Sequence, residues 1–529
     1  MKYISRDRLC PYIYFTTVFL TGAAVLIFEV AAVRMLAPYF GSSLYVLSSV
    51  LTTILAALSL GYFFGGRIAD RTPHPTALYL IIGSAGVVML FLQSLSLYLL
   101  PNANEVFSIT TGPLVLSLTL FFIPAFLLGI DSPFVIKLLT QTGSTDHNGA
   151  LVGSIFFFST IGSIVGSIAA GFLLIPFLGL TMTIMLVSLL LILWSITAGV
   201  LLHYLAPDTE SFKLKIPLPL LILIGIFTAV YFSFLTLNFS PATTSQTTLY
   251  QADGFYSNLH IFEMTKNKTT YRILKNDVNN SSAIIPGEPT PVFTYTQLAD
   301  IFTVNNPGAE NYLVLGGGSY TVPRSIHHFY PEMQIDVAEI EPRLYPLAVQ
   351  YFELPVTDKI TNYELDARVF LQSTTTQYDV IFSDIMNSGL FIPPHVATVE
   401  FFTAFKKRLA PDGIAILNFI GSLDTTQTSL TGSMIKTIST VFPNYKLIAL
   451  QGPQVSSTQN MLFILRHDGQ TITIPKKDIV DHFRGTTLDS DTLLVDPNSL
   501  TLSNQAVFTD DKSLIEPLIV KQFANLKLR

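Results

Sequence analysis

Charged residues make up only 12% of this 529-residue chain, and cysteine occurs once, at Cys10. A single cysteine excludes an intramolecular disulfide and a cysteine-rich metal site. The net charge of −6 comes with no basic face of the kind that nucleic acid requires. A cleaved signal peptide is not expected, because the first apolar stretch is too long and others follow it. The scarcity of charge is also uneven. Residues 1–238 carry nine Lys/Arg and eight Asp/Glu, whereas the remainder carries 21 and 28. The first part is near neutral, and the second has an ordinary soluble composition at −7. Mean hydropathy is +0.50, high for a soluble protein, and the length suffices for two or three domains.

Long apolar runs fill the first part. A spanning helix needs about 20 mostly apolar residues to cross the ~30 Å hydrocarbon layer. Seven stretches qualify: 12–34, 44–65, 76–99, 113–135, 150–175, 181–202 and 217–237. They are bounded by turn formers or charges, such as "APYFGSS" and "GGRIADRTPHP". These runs predict a multi-pass helical membrane domain over residues 1–238, partnered by the lipid bilayer of the plasma (inner) membrane. Gly162 and Gly166 stand in GxxxG spacing, which lets helices approach closely; lining a substrate path is the other reading. Glu29 lies inside the first stretch, and a charge at that depth must face the bundle interior. With the N-terminus inside, the inside segments hold Lys2, Arg6, Arg8, Arg67, Arg71, Lys137, Lys213 and Lys215. The outside loops hold no basic residue apart from Arg34 at a boundary. The positive-inside rule therefore puts the N-terminus in the cytoplasm, and seven crossings leave the rest of the chain outside.

The second part reads as α/β. A β-rich lobe is expected over 239–305, where "NLHIFEMT" alternates and "TTYRILKN" follows a polar turn. Over 306–529 the candidate strands are "YLVLG", "QIDVAEIE", "ITNYEL", "YDVIFSDI", "GIAILNFIG", "YKLIAL" and "MLFILR". Helical stretches, including 342–353 and 399–409, fill most gaps between them. The alternation predicts a mostly parallel, doubly wound, Rossmann-like sheet with ligands at the carboxyl ends of its strands.

In such a sheet the glycine turn after the first strand, here Gly316, Gly317 and Gly318, lets a nucleoside approach the backbone. An acidic residue ending the second strand accepts from ribose hydroxyls. Glu339 stands 23 residues past Gly316, the right interval. Asp366 follows the third strand, where a helix N-cap is the alternative role. Asp384 ends the fourth strand, and a carboxylate there is costly unless paired or used. Asp379, before the same strand, reads as structural.

The ordered set "VLGGGS…VAEIEP…LDARVFL…YDVIFSDI" resembles the spermidine synthase family of aminopropyltransferases, whose usual form is GGGDG, VEID, GDAR and YDVIxxD. "FEVAAVRMLAPYFGSSLYVLSSVL", "GYFFGGRIADR", "STIGSIVGSIAAGFLLIPFLG" and "FTDD" resemble its membrane-fused branch. The resemblance implies a class I methyltransferase/spermidine synthase-type fold. Its chemistry is attack by an amine acceptor on decarboxylated S-adenosylmethionine, or S-adenosylmethionine itself, with release of methylthioadenosine and no metal. It implies Asp384 as the base and Gly316, Gly317, Gly318 and Ser319 as the cradle. It further implies Glu339 on the ribose, Asp366 and Ala367 on the adenine, and Tyr256, Tyr295 and Asn387 toward the acceptor.

Departures from the family pattern fall on the acceptor side. Ser319 replaces an aspartate that helps bind the propylamine cation, Asn387 replaces the second aspartate of DxxD, and the acidic YHE segment is "YTQ" around Tyr295. Ser257 stands where a glutamine follows the family's tyrosine. Each charged hydrogen bond is worth ~1.5–3 kcal/mol, so ordinary putrescine binding should be weakened. Intact S-adenosylmethionine becomes an acceptable ligand. A methyltransferase, a sulfonium lyase, and a transporter with a nucleoside-sensing domain are the competing readings. A homo-oligomer is compatible with all of them. Sulfonium nucleosides are made in the cytoplasm, which opposes the external placement that charge counting favours.

Overall fold

A computed structural model describes residues 6–205 and 246–523, apart from 42, 109, 142–147, 305–307, 387–391 and 477. The chain divides into two compact units, Met1–Thr244 with Leu528–Arg529, and Ser245–Lys527.

The first unit is a bundle of apolar helices. Its elements are α1 (Arg6–Phe40), α2 (Leu44–Arg71), α3 (Pro75–Leu99), α4 (Thr111–Leu120), α5 (Phe122–Gly129), α6 (Asp131–Thr140), α7 (Asn148–Ala169) and α8 (Leu180–Leu205). Six helical stretches among the described residues are long and apolar enough to cross a membrane. The seventh expected span, 217–237, lies outside the described residues. The fourth expected span, 113–135, is not one helix. Pro124 and Pro133 each lack the N–H that would bond the carbonyl four residues back, and their rings crowd it. Those carbonyls belong to Leu120 and Gly129, the last residues of α4 and α5. After α7 the chain passes through a π-turn at Ala170–Leu174 before Pro176.

Glycine sets the closest helix contact. A Cβ on Gly162 would stand 2.0 Å from the Phe19 carbonyl oxygen, and one on Gly166 2.4 Å from that of Ala23. From the other side, a Cβ on Gly22 would stand 2.3 Å from the Ser159 carbonyl oxygen. Thus α1 and α7 meet backbone to backbone, and these glycines have the packing role.

The second unit begins with an antiparallel meander of β1 (Gln246–Asp253), β2 (Asn258–Lys266), β3 (Thr269–Asn276) and β4 (Asn279–Ile284). The two residues joining β2 to β3, Asn267 and Lys268, both have positive φ, as a type I′ hairpin turn requires. Helix α9 (Thr294–Val304) leads into a seven-stranded sheet of order β10-β11-β9-β8-β5-β6-β7. Its strands are β5 (Asn311–Leu315), β6 (Gln334–Ala338), β7 (Ile360–Tyr363), β8 (Tyr378–Ser383), β9 (Leu409–Gly421), β10 (Tyr445–Ala449) and β11 (Gln459–Leu465). The first five are parallel, β11 adds antiparallel to β9, and β10 adds antiparallel to β11. Both faces of the parallel strands are covered, so "YLVL" and "VIF" are apolar throughout rather than alternating. Helices α10 (Thr321–Phe329), α11 (Leu344–Tyr351), α12 (Ala367–Ser373) and α13 (Val399–Arg408) lie between the strands in sequence. Strand order reverses between β5 and β8, the switch point at which such sheets bind ligands.

Candidate active site

Four adjacent parallel strands deliver the expected residues to one edge of the sheet. Gly316 follows β5, Glu339 follows β6, Asp366 comes three residues after β7, and Asp384 follows β8. The glycine turn is tight. Gly316 has φ +90° and Gly318 +53°, and a Cβ on Gly316 would stand 2.5 Å from the Asp384 carbonyl oxygen. A Cβ on Gly317 would meet the Tyr320 ring at 2.8 Å. Tyr320 is itself left-handed, with φ 59°, and fully buried. Its hydroxyl donates to Asn362 Oδ1 at 2.5 Å, which fixes the ring beneath the turn.

Glu339 organises this turn. Its Oε2 accepts the N–H of Gly317 at 2.8 Å and of Gly318 at 3.1 Å, and Oε1 accepts that of Glu341 at 2.8 Å. Burial pushes its carboxyl above the ordinary glutamate range, and the three N–H groups partly offset this. Glu341, also buried, accepts the Tyr256 N–H at 2.9 Å. The Arg343 guanidinium donates to the Asp253 carbonyl. The segment 339–343 therefore holds both the glycine turn and the β1–β2 turn that carries half-exposed Tyr256.

Asp384 faces α9 and β9. The Asn418 amide of β9 donates to its Oδ1 at 2.8 Å, and Asn460 of β11 donates to Asn418 Oδ1 at 3.1 Å, fixing the way that amide points. The Tyr295 hydroxyl lies against the carboxylate, with the Ser281 carbonyl oxygen 3.2 Å away as its other acceptor. Burial pushes the Asp384 carboxyl above the ordinary aspartate range, with Asn418 and Tyr295 pulling the other way.

Asp366 is the N-cap of α12. Its Oδ1 accepts from the N–H groups of Arg368 at 2.9 Å and Val369 at 3.1 Å, while His395 Nε2 meets Oδ2 at 2.9 Å. The His395 contact, with those N–H groups, holds this carboxyl below the ordinary aspartate range. Buried Ala367 opens the helix. Arg368 makes a fork to both oxygens of Asp510, which Thr398 also contacts at 2.8 Å. The "FTDD" segment is thus tied to the "DAR" segment. Ser319 is buried and its N–H donates to Ser282 Oγ at 3.2 Å, but its own hydroxyl has no hydrogen-bond partner among the described residues. Asn387 lies outside the described residues. Asn418, Asn460, Glu341 and His395 were not picked out in the sequence; of these only Asn418, a polar residue inside the apolar strand "AILNFI", carried a local signal.

Residues 293–474 match the spermine/spermidine synthase domain, so the C-terminal part of the chain carries that domain. A probable polyamine aminopropyl transferase of Bifidobacterium longum is 28% identical over 213 residues, 40% of this chain and 46% of its own length. The polyamine aminopropyltransferase of Vibrio vulnificus is 27% identical over 197 residues, 35% of this chain and 64% of its own. An N-terminal histidine N-methyltransferase of Emericella nidulans is 30% identical over 188 residues, 33% of this chain and 32% of its own. The chain thus spans about half to two thirds of the length of the two transferases and a third of the methyltransferase.

Proposed function

With a spermine/spermidine synthase domain as the premise, we propose that this chain is a membrane-embedded aminopropyltransferase. It moves the aminopropyl group of a decarboxylated sulfonium nucleoside, or the aminocarboxypropyl group of one that keeps its carboxylate, to an amine. The amine nitrogen attacks the methylene beside the sulfonium; the new C–N bond forms as the C–S bond breaks. The bonding pair goes to sulfur, and methylthioadenosine leaves as a neutral thioether. Sulfur is already a good leaving group, so positioning the amine and removing its proton are the protein's tasks.

The observation that carries this reading is Asp384. It is a buried carboxylate at the switch point, against the glycine turn, steadied by Asn418 and facing Tyr295. Its raised proton affinity suits a base that must take a proton from an ammonium group. In this reading Gly316–Gly318 admit the nucleoside, Glu339 shapes their turn and offers its remaining lone pairs to the ribose, and Asp366 with Ala367 borders the adenine. Tyr256 and Tyr295 flank the acceptor. The donor is decarboxylated S-adenosylmethionine or S-adenosylmethionine itself. Ser319 favours the second more than an aspartate would, because no charge there repels a carboxylate.

Embedding in a membrane is supported by what the bundle exposes. Phe172, Phe177 and Leu193 are 75%, 76% and 61% exposed, an outward apolar surface of a size that soluble monomers seldom carry.

The test is the nucleoside product formed by the purified full chain with either donor and an amine. Methylthioadenosine appearing in step with alkylated amine is expected. S-adenosylhomocysteine would replace this reading with methyl transfer, and methylthioadenosine without alkylated amine would replace it with sulfonium cleavage.

A further inference from the structure

The helical bundle holds a carboxylate of its own. Asp131 is 1% exposed and follows Ile130, which keeps helical φ and ψ at a bend where Pro133 offers no N–H to the Gly129 carbonyl. Packing around the bend is close: a Cβ on Gly61 would stand 2.8 Å from Gly129 Cα, and one on Gly65 2.8 Å from Ile130 Cα. Helix α2 therefore lies backbone to backbone against it. Asp131 Oδ2 is 2.5 Å from Thr21 Oγ1 of α1. Its Oδ1 has no hydrogen-bond partner and is closed off from solvent.

Among the described residues no cation pairs with Asp131. Lys137 of α6 is bonded to Asp70 at 2.7 Å. The neighbouring titratable groups on α2 and α3 are the phenols of Tyr62 and Tyr79, and Tyr79 is engaged with Thr17 at 3.0 Å. On α1, Tyr14, Glu29 and Arg34 are seven or more residues from Thr21, and α5 and α7 carry no titratable group.

The hydrogen bonds limit where protons can be. Thr21 has one hydroxyl proton, and its Oγ1 also lies 3.0 Å from the Thr17 carbonyl oxygen. If that proton goes to Thr17, the proton between Thr21 and Asp131 belongs to the carboxyl. Oδ1 is then an uncharged carbonyl, whose isolation is tolerable. The ionised form would leave a charged oxygen bare in apolar surroundings, at far greater cost. Oδ1 has no surface open to water in this arrangement.

An intramembrane carboxyl without a counter-ion is a functional position by default. We propose that Asp131 is a proton-binding site of the membrane bundle, loaded in the arrangement described here. It is emptied in a second arrangement, in which the bend at Ile130 opens Oδ1 to water. This goes beyond the transferase reading and relies on no residue of the second unit.

The test is infrared spectroscopy of the full chain in lipid at neutral pH. A carbonyl band of a protonated acid in apolar surroundings is expected; Asp131→Asn should remove it, and Thr21→Val should shift it. Absence of any Asp131-dependent acid band overturns the proposal. So does loss of the wild-type band on adding sodium ions or putrescine at constant pH, which would assign the site to that cation. The wild type alone gives a second reading if the variants fail to fold. On transfer to deuterium oxide its acid band should move to lower wavenumber as the proton exchanges through the open arrangement, and a band that never moves contradicts the proposal.

Discussion

Glu339 accepts three backbone N–H groups and Asp384 receives a side-chain amide beside a phenol, whereas Asp131 in the bundle meets a single hydroxyl. All three carboxyls are withdrawn from water, and desolvation disfavours their charge. What separates them is the number of donors the fold has aimed at them. In the second unit the sheet edge and glycine turn supply N–H groups that have no other partner, so a charged oxygen can be kept there and used. The bundle's helices consume their own N–H groups, leaving only side-chain hydroxyls. Donor supply follows from architecture, and in the proposed reading it sorts carboxylates that bind or react from one that stores a proton.

The largest change expected from disturbing the donor-rich side comes from Gly317→Val. The new Cβ would stand 2.8 Å from the Tyr320 ring and 3.1 Å from Val337 Cγ1, displacing the turn that Glu339 holds. Nucleoside binding measured by calorimetry should be abolished, and retained affinity would detach the turn from the ligand. Glu339→Ala should act next most strongly. It strands the N–H groups of Gly317, Gly318 and Glu341 and removes the ribose acceptor, lowering affinity by ~1.5–3 kcal/mol. A loss below tenfold would place the ribose elsewhere.

A smaller effect is expected on stability, and its sign depends on pH. The Asp384 carboxyl is raised on folding, so the native chain holds that proton more tightly than the unfolded one. Its contribution is most favourable below the ordinary aspartate range and is lost as pH rises through the folded value. Asp384→Asn removes this dependence. The variant should unfold at the same or higher temperature than wild type at neutral pH, with the gap closing in acid. A variant less stable at neutral pH would mean that Asn418 and Tyr295 outweigh desolvation.

Sidedness is tested without altering the site. Ser457 is exposed; as Ser457→Cys in a Cys10→Ser background it should react with an impermeant thiol reagent in intact cells if the chain crosses seven times. Reaction only after lysis would mean an even number of crossings.

Much of the second unit was legible because parallel strands write themselves as short apolar runs. "YLVL", "DVIFS" and "AILNF" all became strands, and the residue after each of β5, β6 and β8 was a correct pointer to the sheet edge. Contacts between distant segments were not legible. Arg368 meets Asp510 across 142 positions and Asn460 meets Asn418 across 42, and no local period announces such pairs. Asp366 illustrates the limit differently. Its place after β7 was readable, but its engagement by His395 was not, since His395 lies in a three-residue helical turn too short to show a pattern. In the bundle, hydropathy averaged over about 20 residues concealed both the interruptions at Pro124 and Pro133 and the buried carboxyl of Asp131.

The central claim is that Asp384 takes the acceptor's proton, and Asp384→Asn tests it most directly. The substitution keeps the shape and an oxygen for the Asn418 amide but cannot accept a proton at neutral pH. Methylthioadenosine release by the purified variant should fall by ~10²–10⁴-fold, the usual worth of general-base catalysis, while binding of the sulfonium nucleoside changes little. Full turnover in the variant would contradict the assignment, and loss of binding in place of turnover would make Asp384 a ligand contact instead of the base.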